Sequence, residues 1–380
     1  MRKSKNGITA DLLRAFATLF VFLLHAKGSI PKSEAFPAVF RWLTCLPAWA
    51  GVWIFLFLSG FGIGYGFFTE KYELFREGKR SARKFFGFYA MRFLKIAPLY
   101  YLYCFLYEVL SGKLLFWQNP QYLLKILTFT FNAHASVEGL GHLWYISLAM
   151  QLYLFMPFLY LALRALKPER NKGLFIAVFG TVLVLGALAR CLIVNAGLDW
   201  YTWSYTNCLV NLDLVILGML VADMKLHYSA PARGKAWAKA FAAVLFAGMV
   251  LYNCFIYERS SLHDLFVYRC LLPSAYAAVC SLLLFLSGSE EARPVRWYKA
   301  AIKWFAGNSY AFYILHLATF AYLNATLAAT ARFAELSPVA QYFAYVPLAF
   351  LLTLLLAVPF QLFGKAVITL YRHRERKVPL

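Results

Sequence analysis

The residues best suited to chemistry lie near the start of the chain. Asp11 and Arg14 are three residues apart, so in a helix they are neighbours on one face and can form a local ion pair. His25 follows Arg14 by eleven residues. At about 100° per residue it returns to within roughly 20° of the same face, some 16 Å along the axis. An imidazole with an ordinary pKa near 6.5 suits general-base chemistry, and a guanidinium suits an anion.

Other ionisable residues lie in or beside apolar runs, where each is costly and therefore a functional candidate. They are Arg92, Lys95, Glu108, Glu138, His142, Arg190, Asp213 and His316. Arg92 and Lys95 are one turn apart and offer two cations to an anion. Arg190 and Asp213 are expected to face each other across a short hairpin, either as a packing salt bridge or with a role in chemistry.

Composition indicates which kind of secondary structure carries these residues. Of 380 residues, 62% are hydrophobic and only 14% are charged, against about 25% charged in soluble domains. The seven cysteines show no Cys-x-x-Cys or Cys/His ligand spacing, so neither a metal site nor a disulfide framework is expected. The basic N-terminus and the run after it lack a small-residue cleavage site, which predicts a retained span rather than a signal peptide.

A bilayer core about 30 Å thick needs roughly 20 apolar residues in a helix. The apolar runs predict ten such helices, near 8–28, 47–68, 93–112, 142–163, 174–195, 205–225, 238–257, 269–287, 304–328 and 339–363. The sequence therefore predicts an all-α polytopic membrane protein with both termini cytoplasmic. We expect one transmembrane domain over residues 1–370 and a basic cytoplasmic tail over 371–380.

The distribution of positive charge supports this topology. The net charge of +21 is compatible with nucleic-acid binding until the charges are placed on the predicted segments. With the N-terminus inside, 28 of the 38 Lys and Arg residues fall on the cytoplasmic side and 8 outside. The charge follows topology, so the expected partner is membrane lipid and not nucleic acid. Residues 122–135 are apolar but too short to span, and they are predicted to form an outer interfacial or re-entrant helix.

The candidate residues near the start of the chain and in the later apolar runs lie in a series of short motifs. In order along the chain, these motifs resemble those of the integral-membrane acyltransferase 3 family of cell-surface O-acyltransferases. Asp11-x-x-Arg14 followed by His25 is similar to its opening signature, and Phe57-Leu-Ser59-Gly60-Phe61 to its second-span motif. The stretch Arg92-Phe-Leu-Lys95-Ile-Ala-Pro98-Leu-Tyr100 resembles its third-span motif, with Lys in place of the second Arg. His142-Leu-Trp144 and the segment from Ser309 to His316 resemble two later motifs.

Two departures from the family pattern matter. Many members carry Glu five residues after the Trp, where this sequence has Ala149. The following Leu152-Tyr153-Leu154-Phe-Met-Pro157 resembles the branch that includes enterobacterial common antigen O-acetyltransferase. Some members also carry an appended esterase domain, which is not expected after residue 380. The membrane domain is then expected to deliver the acyl group directly or through a separate partner.

The resemblance implies transfer of an acyl group, usually acetyl, from cytoplasmic acetyl-CoA to a sugar hydroxyl. The acceptor is a surface polysaccharide or lipid-linked glycan, and the expected location is the bacterial cytoplasmic membrane. His25 is the implied general base, with direct attack or a covalent acyl-histidine both open. Arg92 and Lys95 are expected to bind the phosphates of coenzyme A. Arg14 either holds a phosphate or thioester oxygen or only pairs with Asp11.

The acceptor is expected to meet His142, Trp144, Glu108 and His316. Trp144 either stacks on a sugar ring or is an ordinary interfacial aromatic, and His316 could equally be a packing residue. Ser59, included among the donor-binding residues, could instead be a small residue that lets helices approach. The rival interpretation is an exporter of polysaccharide or lipid-linked glycan without acyltransferase chemistry. A third, the membrane half of a sensor or racemase assembly, would need a soluble catalytic domain.

Overall fold

Helices make up the regular secondary structure of the residues that the structure describes. The computed structural model describes residues 8–31, 33–44, 48–72, 82–112, 115–132, 140–228, 235–258, 267–287 and 296–377, and these contain no β-strand. The α-helices, numbered in chain order, are α1 Ile8–Gly28, α2 Ala38–Thr44, α3 Ala48–Phe68, α4 Ala82–Ser111, α5 Leu115–Gln118, α6 Pro120–Leu127, α7 Trp144–Leu166, α8 Lys172–Asn195, α9 Leu212–His227, α10 Lys235–Glu258, α11 Leu272–Leu286, α12 Trp297–Leu323, α13 Ala331–Glu335 and α14 Pro338–Lys377.

Nine of the described helices are long and apolar enough to cross a membrane, which confirms the all-α polytopic fold class. The sixth predicted span, near 205–225, differs from the others. Its α-helix, Leu212–His227, has only 16 residues and follows a π-helical segment at Tyr201–Tyr205. Sixteen residues rise about 24 Å, less than the roughly 30 Å of a bilayer core. A tenth crossing, and with it the location of both termini on one side, stays a prediction.

The helix of the third predicted span, α4, begins much earlier than hydropathy predicted. Its predicted start was near residue 93, whereas α4 begins at Ala82 and runs for 30 residues to Ser111. Lys and Arg are good helix formers, so the basic residues continue the helix instead of ending it. Arg92 and Lys95 therefore lie ten and thirteen residues inside α4 and do not mark its beginning.

The chain divides into two compact units. The first comprises Met1–Lys27, Phe36–Glu73 and Phe155–Gly307. Within it, α3 and α9 pack backbone to backbone. A Cβ added to Gly60 would lie 2.8 Å from the backbone carbon of Val215, and one added to Gly218 would lie 2.6 Å from the backbone nitrogen of Phe61. Only glycine permits this approach, which buries most of α9.

The second unit comprises Gly28–Ala35, Leu74–Leu154 and Asn308–Leu380. Within it, α4 packs against α14, and Leu99 of α4 lies under Gly364 of α14. The Tyr310 hydroxyl on α12 donates to the carbonyl oxygen of Ile96 on α4 at 2.8 Å. Tyr89 likewise donates to Leu154 on α7 at 2.9 Å. The unit is thus joined by tyrosine hydroxyls that reach backbone carbonyls on neighbouring helices.

The segment predicted as interfacial or re-entrant is described as far as residue 132. Its helix, α6, has eight residues, which is too short to span. The Leu127 carbonyl accepts a hydrogen bond from Tyr101, ten residues before the end of α4. The Phe129 carbonyl accepts one from Gln151, seven residues into α7. These positions lie about 15 and 10 Å inside the two helices, which favours the re-entrant alternative.

Candidate functional site

The first group of candidate residues lies on α1. The Arg14 Nη1 and Asp11 Oδ1 atoms are 3.4 Å apart, so the predicted local ion pair is present. The pair is partly exposed, with 32% and 17% of the two side chains accessible, so its contribution to stability is small. His25 lies in the last turn of the same uninterrupted helix. The helix therefore carries Arg14 and His25 at the predicted spacing, about 16 Å apart along its axis.

Ser59 lies in α3 beside the glycine contact with α9. The close helix approach, however, is made at Gly60 and Gly218, and Ser59 itself is only half-buried. The small-residue role that the sequence suggested for Ser59 thus belongs to its neighbour. The donor-binding role of Ser59 stays a prediction.

Arg190 and Asp213 form a buried ion pair inside the first unit. The two guanidinium nitrogens of Arg190 donate to the two carboxylate oxygens of Asp213 at 2.8 and 2.7 Å. Arg190 also donates to Ser274 at 3.3 Å, and only 1% of its surface is exposed. A bidentate pair with an added hydroxyl satisfies both charges without a ligand. This geometry supports the packing alternative for the pair.

The second unit holds the two predicted donor-binding cations. Arg92 is 9% exposed, and its guanidinium lies 5.3 Å from the centre of the Phe88 ring, one turn earlier on α4. Lys95 is exposed. The two residues are neighbours on the helix, as predicted, but the Lys95 side chain is exposed to a larger extent than that of Arg92. The ammonium of Lys95 is therefore the more accessible of the two charges to an incoming anion.

Glu108 lies near the end of α4 and is 8% exposed. Its Oε1 atom accepts a hydrogen bond from the backbone nitrogen of Phe116 at 2.9 Å, which holds α5 against α4. Among the described residues, none donates to Oε2. One oxygen of this carboxyl group therefore has a structural role, and an acceptor-binding role for the other stays a prediction.

His142 and His316 lie side by side in the second unit. Their ring centres are 5.3 Å apart and their planes meet at 78°. His142 comes from the short 3-10 helix Gly141–Leu143 before α7, and His316 from α12. Both are buried, with 3% and 1% of their surfaces exposed. Trp144 is also buried, at 8%, which leaves little of its indole face for a sugar.

The structure therefore brings together some predicted residues and not others. Asp11 and Arg14 are in contact in the first unit, and His142 and His316 in the second. Glu138 falls outside the described residues. Tyr103, whose ring lies edge-on to His142 at 5.4 Å, was not among the predicted residues. Tyr313, which contacts both histidines, belongs to the motif from Ser309 to His316 but was given no role of its own. The spacing of Tyr313, three residues before His316 on a helix, was the available signal.

Comparison with known proteins identifies the family. Residues 9–358 match the acyltransferase domain family known as acyltransferase 3. The chain belongs to the acyltransferase 3 family. It is also similar to the Regulator of hypoxia-inducible factor 1 of Caenorhabditis elegans, with 28% identity over 233 residues. That match covers 54% of this chain but only 42% of the relative. No solved structure matches the chain.

The chain is thus a multi-pass membrane protein that carries an acyltransferase domain of this family. The family match confirms the resemblance seen in the sequence motifs, without distinguishing the branch. The described residues contain no group of three or more His, Cys, Asp and Glu side chains arranged to hold a metal ion.

Proposed function

We propose that this acyltransferase moves an acetyl group from acetyl-CoA to a hydroxyl of a surface polysaccharide or lipid-linked glycan. The observation that carries the proposal is the α1 face, on which Arg14 and His25 stand eleven residues apart on one uninterrupted helix. A neutral imidazole can remove the proton from a sugar hydroxyl as its oxygen attacks the thioester carbonyl. We assign Arg14 to a phosphate or thioester oxygen of the donor, because 32% of its side chain stays accessible beside Asp11.

The donor-binding roles rest on charge. Coenzyme A carries several phosphate charges, and both guanidinium and ammonium groups bind phosphate. Lys95 is exposed and Arg92 largely buried, so we assign the first contact with phosphate to Lys95. Acceptor binding by His142, His316, Glu108 and Trp144 stays a prediction, because all four side chains are more than nine-tenths buried. The proposed location is a bacterial cytoplasmic membrane, with lipid as the surrounding partner.

The first test is transfer of label. Purified protein in lipid nanodiscs is incubated with acetyl-CoA labelled in its acetyl group and with lipid-linked glycans extracted from the cells that make it. We expect label on the glycan, in proportion to protein. An exporter without acyltransferase chemistry would leave the label on coenzyme A, and that result would refute the proposal.

The donor-binding assignment has its own test. Lys95→Ala should raise the acetyl-CoA concentration needed for half-maximal transfer by about 5- to 20-fold, since one charge-assisted phosphate contact is lost. The dependence on glycan should not change. Lys167→Ala is the matched control, because it removes one exposed positive charge outside α4. Equal acetyl-CoA dependence in the two variants would contradict the assignment.

A further inference from the structure

Two cysteines of the first unit lie side by side where α8 packs against the beginning of another span. Cys191 is four residues before the end of α8, and Cys270 belongs to the π-helical segment Val267–Leu271, which leads into α11. α8 is in contact with this segment, and the two thiols are close enough to share a hydrogen bond. Packing thus pairs two thiols that are far apart in the sequence, which the spacing of cysteines could not reveal.

Polar contacts beside the two cysteines hold their backbones in place. Arg190, which precedes the first cysteine, donates to the Ser274 hydroxyl at 3.3 Å and is itself fixed by its bidentate bond to Asp213. The indole Nε1 of Trp200 donates to the carbonyl oxygen of Arg269, which precedes the second cysteine, at 3.4 Å. The end of α8 and the beginning of the next span are therefore tied together on either side of the thiol pair.

The two thiols differ in exposure. The Cys270 residue is fully buried, with 0% of its surface exposed, whereas Cys191 is partly exposed. Thiol–disulfide exchange requires access of a disulfide to the attacking sulfur, so Cys191 reacts first. Its thiolate attacks a small disulfide, forms a mixed disulfide and releases one thiol. The Cys270 sulfur then attacks the Cys191 sulfur and releases the second thiol, and the two original thiol hydrogens end on the two released molecules.

The predicted topology places this pair near the outer face of the membrane. Cys191 lies about 6 Å from the C-terminal end of α8, the fifth predicted span, which runs outward. Cys270 lies at the beginning of the eighth predicted span, which runs inward. Disulfides form and persist outside the cytoplasm, where thiol-reducing systems are absent. Both cysteines are thus on the side of the membrane where exchange with a small disulfide is favoured.

We propose that Cys191 and Cys270 are an oxidation site and form an intramolecular disulfide that joins α8 to the beginning of the span containing α11. The inference is independent of the proposed function, because neither cysteine is assigned to acyl transfer. The bond closes a long loop that contains α9 and α10. Because this loop has fewer conformations in the unfolded chain once it is closed, the disulfide stabilises the first unit.

The first measurement identifies the bond in the purified full-length protein. The protein is reduced, placed in nanodiscs without reductant and exposed to oxidised glutathione, and the remaining thiols are then alkylated before digestion and mass spectrometry. We expect one peptide pair joined through Cys191 and Cys270, lighter by two hydrogen atoms than the two separate peptides. Alkylation of both cysteines, a glutathione adduct retained on Cys191, or a link from Cys191 to Cys208 would each overturn the proposal.

The second measurement compares thermal unfolding before and after this oxidation. We expect oxidation to raise the Tm of the unaltered protein by about 2–5 °C, as closure of a long loop predicts. Cys191→Ser should abolish both the linked peptide and the increase in Tm. Cys208→Ser is the matched control, because it removes another partly exposed thiol of the first unit and should retain both. Equal behaviour of the two variants would refute the proposal.

The third measurement asks whether the bond forms in cells. Intact cells that make the protein are treated with a membrane-permeant alkylating reagent before lysis, and the same peptides are analysed. We expect the joined peptide pair. If both cysteines are alkylated in cells, the proposal is wrong even where the purified protein forms the bond. None of these measurements depends on acyl transfer, so failure of the proposed function would leave their results unchanged.

Discussion

Replacement of Gly186 by alanine should break the buried ion pair of the first unit. A Cβ at this position of α8 would lie 2.6 Å from the carboxyl carbon of Asp213, about 1 Å inside an ordinary carbon–carbon contact. A shift of that size would lengthen the 2.7 and 2.8 Å bonds to Arg190 beyond hydrogen-bond range. Disrupting a buried pair costs about 3–5 kcal/mol, and the helix propensity of alanine returns about 1 kcal/mol.

The expected net destabilisation is about 2–4 kcal/mol. For 380 residues the unfolding entropy is about 0.8 kcal/mol/K, so the expected decrease in Tm is about 2.5–5 °C. The assay is thermal unfolding of the purified protein in detergent. Gly180→Ala is the matched control, because it lies on the same helix with no atom within 4 Å of an added Cβ. That variant should be at least as stable as the unaltered protein. A Gly186→Ala variant as stable as Gly180→Ala would refute the argument.

Two further predictions follow from the fold, and a third follows from the predicted topology. Gly60→Val should prevent assembly of α3 with α9, whereas Gly62→Val, which has no atom within 4 Å of its added Cβ, should fold normally; protein yield and Tm report the difference. Gln151→Leu should release the segment after α6, and a thiol introduced by Thr130→Cys should then react faster with a water-soluble reagent than it does with Gln151 present. A Glu169→Cys variant should resist an impermeant thiol reagent in intact cells, and labelling there would contradict the predicted topology.

Hydropathy and charge predicted the helices well wherever an apolar run has sharp ends. The first span was predicted at 8–28, and α1 covers Ile8–Gly28. The fifth was predicted at 174–195, close to the observed Lys172–Asn195. The start of α4 was missed because hydropathy detects the apolar part of a helix, and basic residues at 83, 84, 92 and 95 interrupt its first four turns. The 16-residue length of α9 was not foreseen, because hydropathy does not detect the turns that occupy most of residues 206–211 before the helix begins at Leu212.

Within the candidate site, the sequence could predict only what one helix determines. The Asp11–Arg14 contact follows from a spacing of three residues, and the structure contains it. The pairing of His142 with His316 depends on packing between residues far apart in sequence, which spacing cannot reveal. The burial of Trp144 is likewise a property of its neighbours, because an aromatic beside an apolar run is equally compatible with an interface.

The central claim is that a histidine of α1 removes the proton from the acceptor hydroxyl. The most direct measurement is the rate of acetyl transfer from labelled acetyl-CoA to glycan by His25→Gln, with acetyl-CoA binding measured in parallel. His227→Gln, which alters a partly exposed histidine at the end of α9, is the matched control. We expect His25→Gln to slow transfer by at least about 100-fold with acetyl-CoA binding retained, and the control to stay close to the unaltered protein. Transfer by His25→Gln at the unaltered rate would contradict it.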